Sequence, residues 1–451
     1  MTLWKMLTVT VATAVSAWAQ VDTAPSGGGE MERWNLFYQA TSIGQYHGTF
    51  RSPYAGAESL ADSPERDVSL TTSLFFGLRL DQNTQLYFDP EIAGGRGFSG
   101  VAGIANFPNG EMPRVASVTP TPYLARLYVT HDFGFGSDTE TITGEENQLA
   151  GERPATRYTV IAGRFTVTDF FDNNRYTHDP RTQFMGWGIM YNGAWDYAAD
   201  TRGYTWGWVH EFHTRRWSLR YASAAEPRTA NGMRFDRRIL RDRSDMFEGE
   251  LNYKPRGHAG AIRLLSFLNH SDAGDYAEAI RLADRTGTRP DVTATRRVGT
   301  LKYGFGVNLE QEITANVGAF ARLGWNDGKT ESWAFTAIDR LASGGISITG
   351  ARWKRPFDTM ATGFTASGIA AVHTQYLARG GLDFIIGDGR LRYAPEYASE
   401  SYYSAHLRPG VFATFDLQRV VNPAYNRDRG PLWIPSVRLH VELGKETFRR
   451  H

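Results

Sequence analysis

The chain has 451 residues, with 49 Lys plus Arg balanced against 48 Asp plus Glu, and no cysteine. Without thiols it is neither a disulfide scaffold nor a carrier of thiolate nucleophiles or thiolate metal ligands, and balanced charge gives no net field favouring nucleic acid or an anionic surface. Mean hydropathy is −0.41, a value that fits a transmembrane β-barrel as well as a soluble protein, because barrel strands alternate lipid-facing and lumen-facing residues.

The N-terminus carries Lys5, an apolar run from Met6 to Ser16 and the cleavage pattern Ala17-Trp18-Ala19. It reads as a secretory signal peptide over residues 1–19. A short periplasmic segment, 20–33, follows, and 34–451 is read as one outer-membrane barrel domain. No apolar stretch after the leader approaches the ~18 residues of a membrane-spanning helix.

Period-two segments then recur along the chain. VSLTTSLFFGLRL (68–80) sets Val68, Leu70, Leu74, Phe76 and Leu78 on one face against Ser69, Thr71, Ser73, Gly77 and Arg79, with Phe75 an exception. GYTWGWVHEF (203–212) places Tyr204, Trp206 and Trp208 on one side. LKYGFGVNLEQ (301–311) and NVGAFARLGW (316–325) alternate in the same way, and VRLHVEL (437–443) reads as the closing strand, pairing with a first strand near Trp34 to Ile43. Apolar faces would meet lipid and small or charged faces a wet lumen. Aromatics, 13% of the chain, suit girdles at the two membrane interfaces.

Connections alternate between tight turns and long Gly-, Pro-, Asn- and charge-rich segments. The long ones span roughly 44–67, 93–121, 167–202, 224–244, 270–295, 326–344, 367–390 and 422–434. Eight long loops imply about 16 antiparallel strands, an even number with both termini periplasmic. Segment 134–156 falls on the short side yet is long, so 18 strands is the nearest alternative. The tail KETFRRH lacks a terminal aromatic, Phe448 being the nearest substitute.

Several motifs carry little. GRGFSG (95–100) matches G-x-G-x-x-G, but Pro108 and Pro113 follow where a helix is required, so a Gly-rich loop folded against a wall is the better reading. His210 and His213 would face opposite sides of a strand, which argues against a shared metal. Neither H-E-x-x-H nor G-x-S-x-G occurs. The Arg- and Asp-rich loop 226–245 could touch outer-leaflet phosphates, although self-paired solvated charge is the simpler reading. In 170–200, Asp172, Asn173, Asn174, Arg175, Asp179 and Arg181 stand beside Trp187, Tyr191 and Trp195. Carboxylates, amides and guanidinium groups bond hydroxyls, and aromatic faces stack on pyranose rings. The same mixture is also what a structural loop could hold.

FRSPYAGAESL (50–60), PEIAGGRGFSGVAGIANFPNGE (90–111), GRFTVTDFFDNNRYTHDPRTQFMGWG (163–188) and VVNPAYNRDRGPLWIPSVRLHVEL (420–443) resemble, in order, the carbohydrate-selective porins of the OprB family. The resemblance implies a 16-stranded barrel in the outer membrane of a Gram-negative bacterium. It also implies passive uptake of sugars through a pore narrowed by inward-folded loops, with Arg, acidic and aromatic residues at the constriction. By position those loops hold Arg51 and Tyr54, Glu91 to Glu111, and Phe171 to Trp187. The long 134–156 segment and the non-aromatic tail depart from the family pattern.

The expectation is therefore an all-β transmembrane channel for mono- and small oligosaccharides that performs no covalent chemistry and holds no cofactor or metal. Its partners would be the transported sugars and outer-membrane lipid with lipopolysaccharide, as monomer or homotrimer, without nucleic acid. The constriction residues expected are Arg51, Glu91, Arg96, Asn109 and Glu111 from the first two long loops. From the third come Asp172, Asn174, Arg175, Asp179 and Trp187. Arg79, Lys302, Arg322, Arg438 and Glu442 are expected to face water from the wall. The alternatives are a general or anion-preferring porin without a sugar site, and an outer-membrane enzyme or surface-binding barrel with a closed lumen.

Overall fold

A computed structural model describes residues 31–112, 117–334 and 336–444. The leader, most of 20–33, and the tail with Phe448 lie outside the described residues. Among the described residues eighteen strands occur in chain order: β1 Trp34–His47, β2 Glu65–Arg79, β3 Thr84–Gly95, β4 Thr121–Gly134, β5 Thr139–Ile142, β6 Gly151–Pro154, β7 Arg157–Phe165, β8 Thr205–His213 and β9 Trp217–Ala225. Then come β10 Arg243–Tyr253, β11 Gly260–Ser271, β12 Thr300–Thr314, β13 Val317–Asn326, β14 Arg340–Thr349, β15 Thr359–Gly368, β16 Glu396–Arg408, β17 Val411–Val421 and β18 Leu432–Leu443. All but β5 and β6 form one closed barrel of 16 antiparallel strands. The alternative of 18 fails because β5 and β6 pair only with each other, and β4 pairs directly with β7 across them.

VRLHVEL does close the ring. β18 pairs with β1 from Tyr38↔Leu443 to Gln45↔Ser436, so no edge is left with unpaired donors in hydrocarbon. Its Val437 and Leu439 point outward, while Arg438, His440 and Glu442 are buried inside. Elsewhere the outer face carries Leu264, Phe364 and Phe415, each more than half exposed. Trp34 and Trp217 stand at the turn end of the barrel, and Trp206, Trp325 and Trp433 at the loop end. Two aromatic bands flanking an apolar belt are what the interfaces of a bilayer select.

The long loops are L1 (48–64), L2 (96–120), L3 (166–204), L4 (226–242), L5 (272–299), L6 (327–339), L7 (369–395) and L8 (422–431). L3 carries a one-turn helix, α1 (Trp187–Met190), and L5 and L7 carry α2 (Tyr276–Thr286) and α3 (Ala371–Ala378). Asp275 caps α2 by accepting from the Glu278 N–H at 2.7 Å, and left-handed Gly287 ends it. Its buried stripe of Tyr276, Ala279, Ile280 and Ala283 follows helical spacing. GRGFSG forms a short 3₁₀ turn whose Phe98 is buried with Leu60, Val420 and Ile434, as a loop folded against a wall should be.

L3 fills one half of the barrel. Inward side chains of β10 to β18 hold it: Asp172 sits under Arg322 (Oδ1 to Nε, 3.1 Å) and accepts from Asn308 Nδ2 at 2.7 Å and the Asn192 N–H at 2.8 Å. Arg322 donates further to the carbonyls of Thr177 and Ile189. Glu400 accepts from the Met185 and Gly186 N–H groups, and Lys302 pairs with Asp196 at 3.1 Å. Asn192 lies so close to Gly306 and Gly324 that a Cβ at either would fall 2.0–2.2 Å from its amide, which explains glycine on this inner face. The expectation that Lys302, Arg322, Arg438 and Glu442 face water is thus corrected: all are buried, the first three because L3 lies on them. Arg79 donates to the carbonyls of Glu32 and Ala150 instead of facing open lumen.

Candidate functional site

With L3 against the β10–β18 wall, a cavity of about 580 Å³ remains along β1–β4, β7 and β8. Arg181 of L3 reaches across it. Its Nε donates to Glu111 Oε1 and its Nη2 to Glu91 Oε2, both at 2.8 Å, while Nη1 donates to Ser73 Oγ at 3.0 Å and Gln39 Oε1 at 3.3 Å. The Pro180–Gln183 turn that presents Arg181 is clamped from behind by Arg438, whose Nη1 donates to the carbonyls of Pro180 (2.8 Å) and Gln183 (2.7 Å). Asp179 shapes the same turn by accepting from the Arg181 N–H and the Thr182 hydroxyl.

Glu91 is gripped on every side. Beyond Arg181 it accepts from the hydroxyls of Ser73, Tyr123 and Tyr204. Beside it Arg126 forks onto Asp169 with two bonds of 2.7 Å and lies 5.4 Å from the Tyr204 ring, and Arg202 lies 4.1 Å from the Tyr123 ring. Trp187 stacks on Phe107 with centroids 4.8 Å apart. Burial pushes the Glu111 carboxyl up to about 7, with Arg181 opposing and Glu91 and Asp179 adding to the rise. Burial disfavours the Arg181 charge, but Glu111 and Glu91 hold it well above the ordinary arginine value. Asp179 is buried, yet Arg181 and the Arg181 N–H bring its carboxyl below the usual range. The result is a guanidinium ion-paired with two carboxylates at a cavity walled by tyrosines and an indole.

The carbohydrate-selective porin, OprB family, model matches residues 57–443. The chain belongs to the OprB family. Among solved structures, the high-pH structure of Pseudomonas putida OprB superposes with a TM-score of 0.68 at 15% identity, covering 91% of this chain and 94% of that one. An anion-selective porin from Comamonas acidovorans gives 0.46 at 9% identity, covering 92% and 100%. Salmonella typhi OmpF in complex with daunomycin gives 0.46 at 8%, covering 91% and 97%. No curated protein sequence matches. The chain is accordingly an OprB-type channel in the outer membrane of a Gram-negative bacterium, and not an enzyme.

Of the expected constriction residues, this OprB-family barrel brings Glu91, Glu111, Asp179 and Trp187 together around the cavity. The other six stand elsewhere. Arg51 and Arg96 are exposed on L1 and L2. Asn109 is buried and acts behind Glu111, accepting from its N–H at 3.1 Å and donating to Ser69 Oγ. Asp172 and Asn174 are buried anchors of L3, the latter donating to Asn308 Oδ1 at 2.8 Å. Arg175 is half exposed near Glu312 towards the turn end.

The expected constriction set omitted Arg181, Gln39, Ser73, Tyr123, Arg126 and Tyr204. Arg181 lies in the same polar-aromatic run as Asp179, so that run was its signal. Ser73 was marked only by lying on the polar face of its strand, and Gln39 only by falling within the expected first strand. Tyr204 was expected on the same strand face as Trp206, but β8 begins at Thr205 and Tyr204 turns inward at the end of L3. His210 and His213 do face opposite sides: His210 stacks outside on Tyr158 and Tyr221, and His213 bonds Ser218 inside.

Proposed function

We propose that the protein lets monosaccharides and small oligosaccharides diffuse passively into the periplasm through the cavity spanned by Arg181. Behind this reading stands one observation above others: Arg181, ion-paired with Glu91 and Glu111, lines a cavity of about 580 Å³ that Trp187 and Phe107 also border. Polar groups along the cavity can replace the water around a sugar's hydroxyls, while aromatic side chains beside them cover its C–H face. The cavity falls within the ~300–1,000 Å³ typical of small-ligand sites. A channel site must hold its solute weakly enough to release it, and millimolar affinity, about −4 kcal/mol, meets that need.

Single-channel recording in planar bilayers tests this. Added glucose is expected to block ion current in the wild type. Arg181→Ala should weaken that block by about tenfold, the loss of one charge-assisted contact. A wild type that glucose never blocks is the outcome of a general or anion-preferring pore and ends the sugar reading.

A further inference from the structure

The passage has a floor as well as a roof. On the turn side, where every other connection is short, residues 135–156 form a two-stranded ribbon of β5 and β6. Its tip doubles back into the barrel mouth. Glu145 and Gln148 exchange both backbone hydrogen bonds, at 2.9 and 3.0 Å, in a turn that places Asn147 in left-handed conformation. The inner wall receives this tip specifically. Asn35 Nδ2 donates to the Gln148 carbonyl at 2.9 Å, the Ala150 N–H donates to Glu32 Oε2 at 2.8 Å, and Leu149 is buried with its N–H on the Tyr87 hydroxyl.

The tip reaches as far as Gln39 and Asp89. Each stands five residues from the turn-end start of its strand, Trp34 and Thr84, or ~16 Å up the wall at about 3.3 Å per residue. There it meets the groups that position L3. Gln39 donates to Glu146 Oε1 at 2.7 Å while accepting from Arg181. Asp89 accepts from Asn147 Nδ2 at 2.9 Å and from Arg126 at 3.3 Å, and Arg126 forks onto Asp169 of L3. Two short chains, Glu146–Gln39–Arg181 and Asn147–Asp89–Arg126–Asp169, thus join the periplasmic insert to the extracellular loop. Glu145 to Gln148 also line the cavity itself.

We propose that the 143–150 tip is a second constriction element of the pore. It forms the exit gate that a solute passes after Arg181, with Glu145, Glu146 and Asn147 as specificity-determining residues. The proposal rests on the cavity being the permeation path. A structural brace would hold the barrel rim without bordering that path, and it would have no reason to share Gln39 and Asp89 with L3.

The chain has no cysteine, so Glu145→Cys gives a single thiol on an exposed side chain at the tip. The full-length variant in planar bilayers, treated with a bulky cationic methanethiosulfonate, is expected to lose about half of its single-channel current. Lys254→Cys, on an exposed turn outside the lumen, should lose none. Replacing 143–150 by an Asn-Gly turn joining β5 to β6 should raise conductance about twofold. Should that variant fail to assemble, the thiol measurement still decides. Labelling of Glu145→Cys confirmed by mass, with current unchanged, overturns the gate even if glucose blocks the wild type. Current lost on labelling while glucose never blocks the wild type upholds the gate and removes only the sugar reading.

Discussion

At the residue scale, Glu111 is a cavity-lining group whose carboxyl burial pushes up to about 7. Burial is the main reason its carboxyl titrates at about 7, and Arg181 only partly offsets it. Above that pH the Arg181 charge is opposed by two carboxylates. Below it Glu111 becomes neutral, one negative charge leaves the gap, and the local field turns more positive. Lowering the pH from 8 to 6 should therefore raise the anion-to-cation permeability ratio by about twofold, with its midpoint near 7. Reversal potentials under a salt gradient measure it. Glu111→Gln should hold the low-pH ratio at every pH, and a titration that survives this substitution places the responsive group elsewhere.

At the element scale, the inner wall serves as mount for L3 more than as contact surface. Asp172 is the acceptor for Arg322, Asn308 and the Asn192 N–H together. Asp172→Ala leaves a guanidinium buried without its counter-charge, a change that typically costs about 3–5 kcal/mol. The barrel ladders do not depend on it, so the expected phenotype is an assembled barrel with L3 released. Conductance should rise and become noisy, and protease should cut within 166–204. Adding Arg322→Met should recover part of the wild-type behaviour, because the uncompensated charge is then gone. A different device ties L5, L6 and L7. His373 on α3 lies 3.0 Å from Asp339 and 3.1 Å from Asp383 and stacks on Tyr276 of α2. Burial disfavours its charge, but Asp339 and Asp383 raise the imidazole to about 9. A folded value above the unfolded ~6.5 gives stabilisation fully present below pH 6.5 and lost as pH rises through about 9, on the order of 3 kcal/mol. Proteolysis of L5 and L7 should accelerate between pH 8 and 10, and His373→Gln should flatten that rise.

At the scale of the whole molecule, what was legible followed from the solvent each face meets. Lipid enforces period two on every strand, and export topology enforces alternating turn and loop lengths, so about 16 strands and the closing pair of last strand with first were legible, while the long 134–156 segment kept 18 open. The site was less legible because an Asp in a polar loop looks the same whether it faces solute or wall. Asp172 and Asn174 are anchors only because Asn308 and Arg322, far along the chain, lie behind them. α2 was hidden because its apolar stripe is short and set among charges. The inside-out pattern itself has a direct test on the closing strand. Leu439, paired with Ser42 of β1, points to lipid near the middle of its strand, and Arg438 beside it points inward under L3. Leu439→Arg should destabilise the barrel by about 2–4 kcal/mol, the cost of a cation on the lipid face near the midplane. Arg438→Leu should instead free the Pro180–Gln183 turn and weaken sugar block, with the barrel intact. Denaturant unfolding in lipid vesicles measures the first and single-channel recording the second. A barrel more sensitive to the inward change than to the outward one would contradict a ring whose apolar side chains face the membrane.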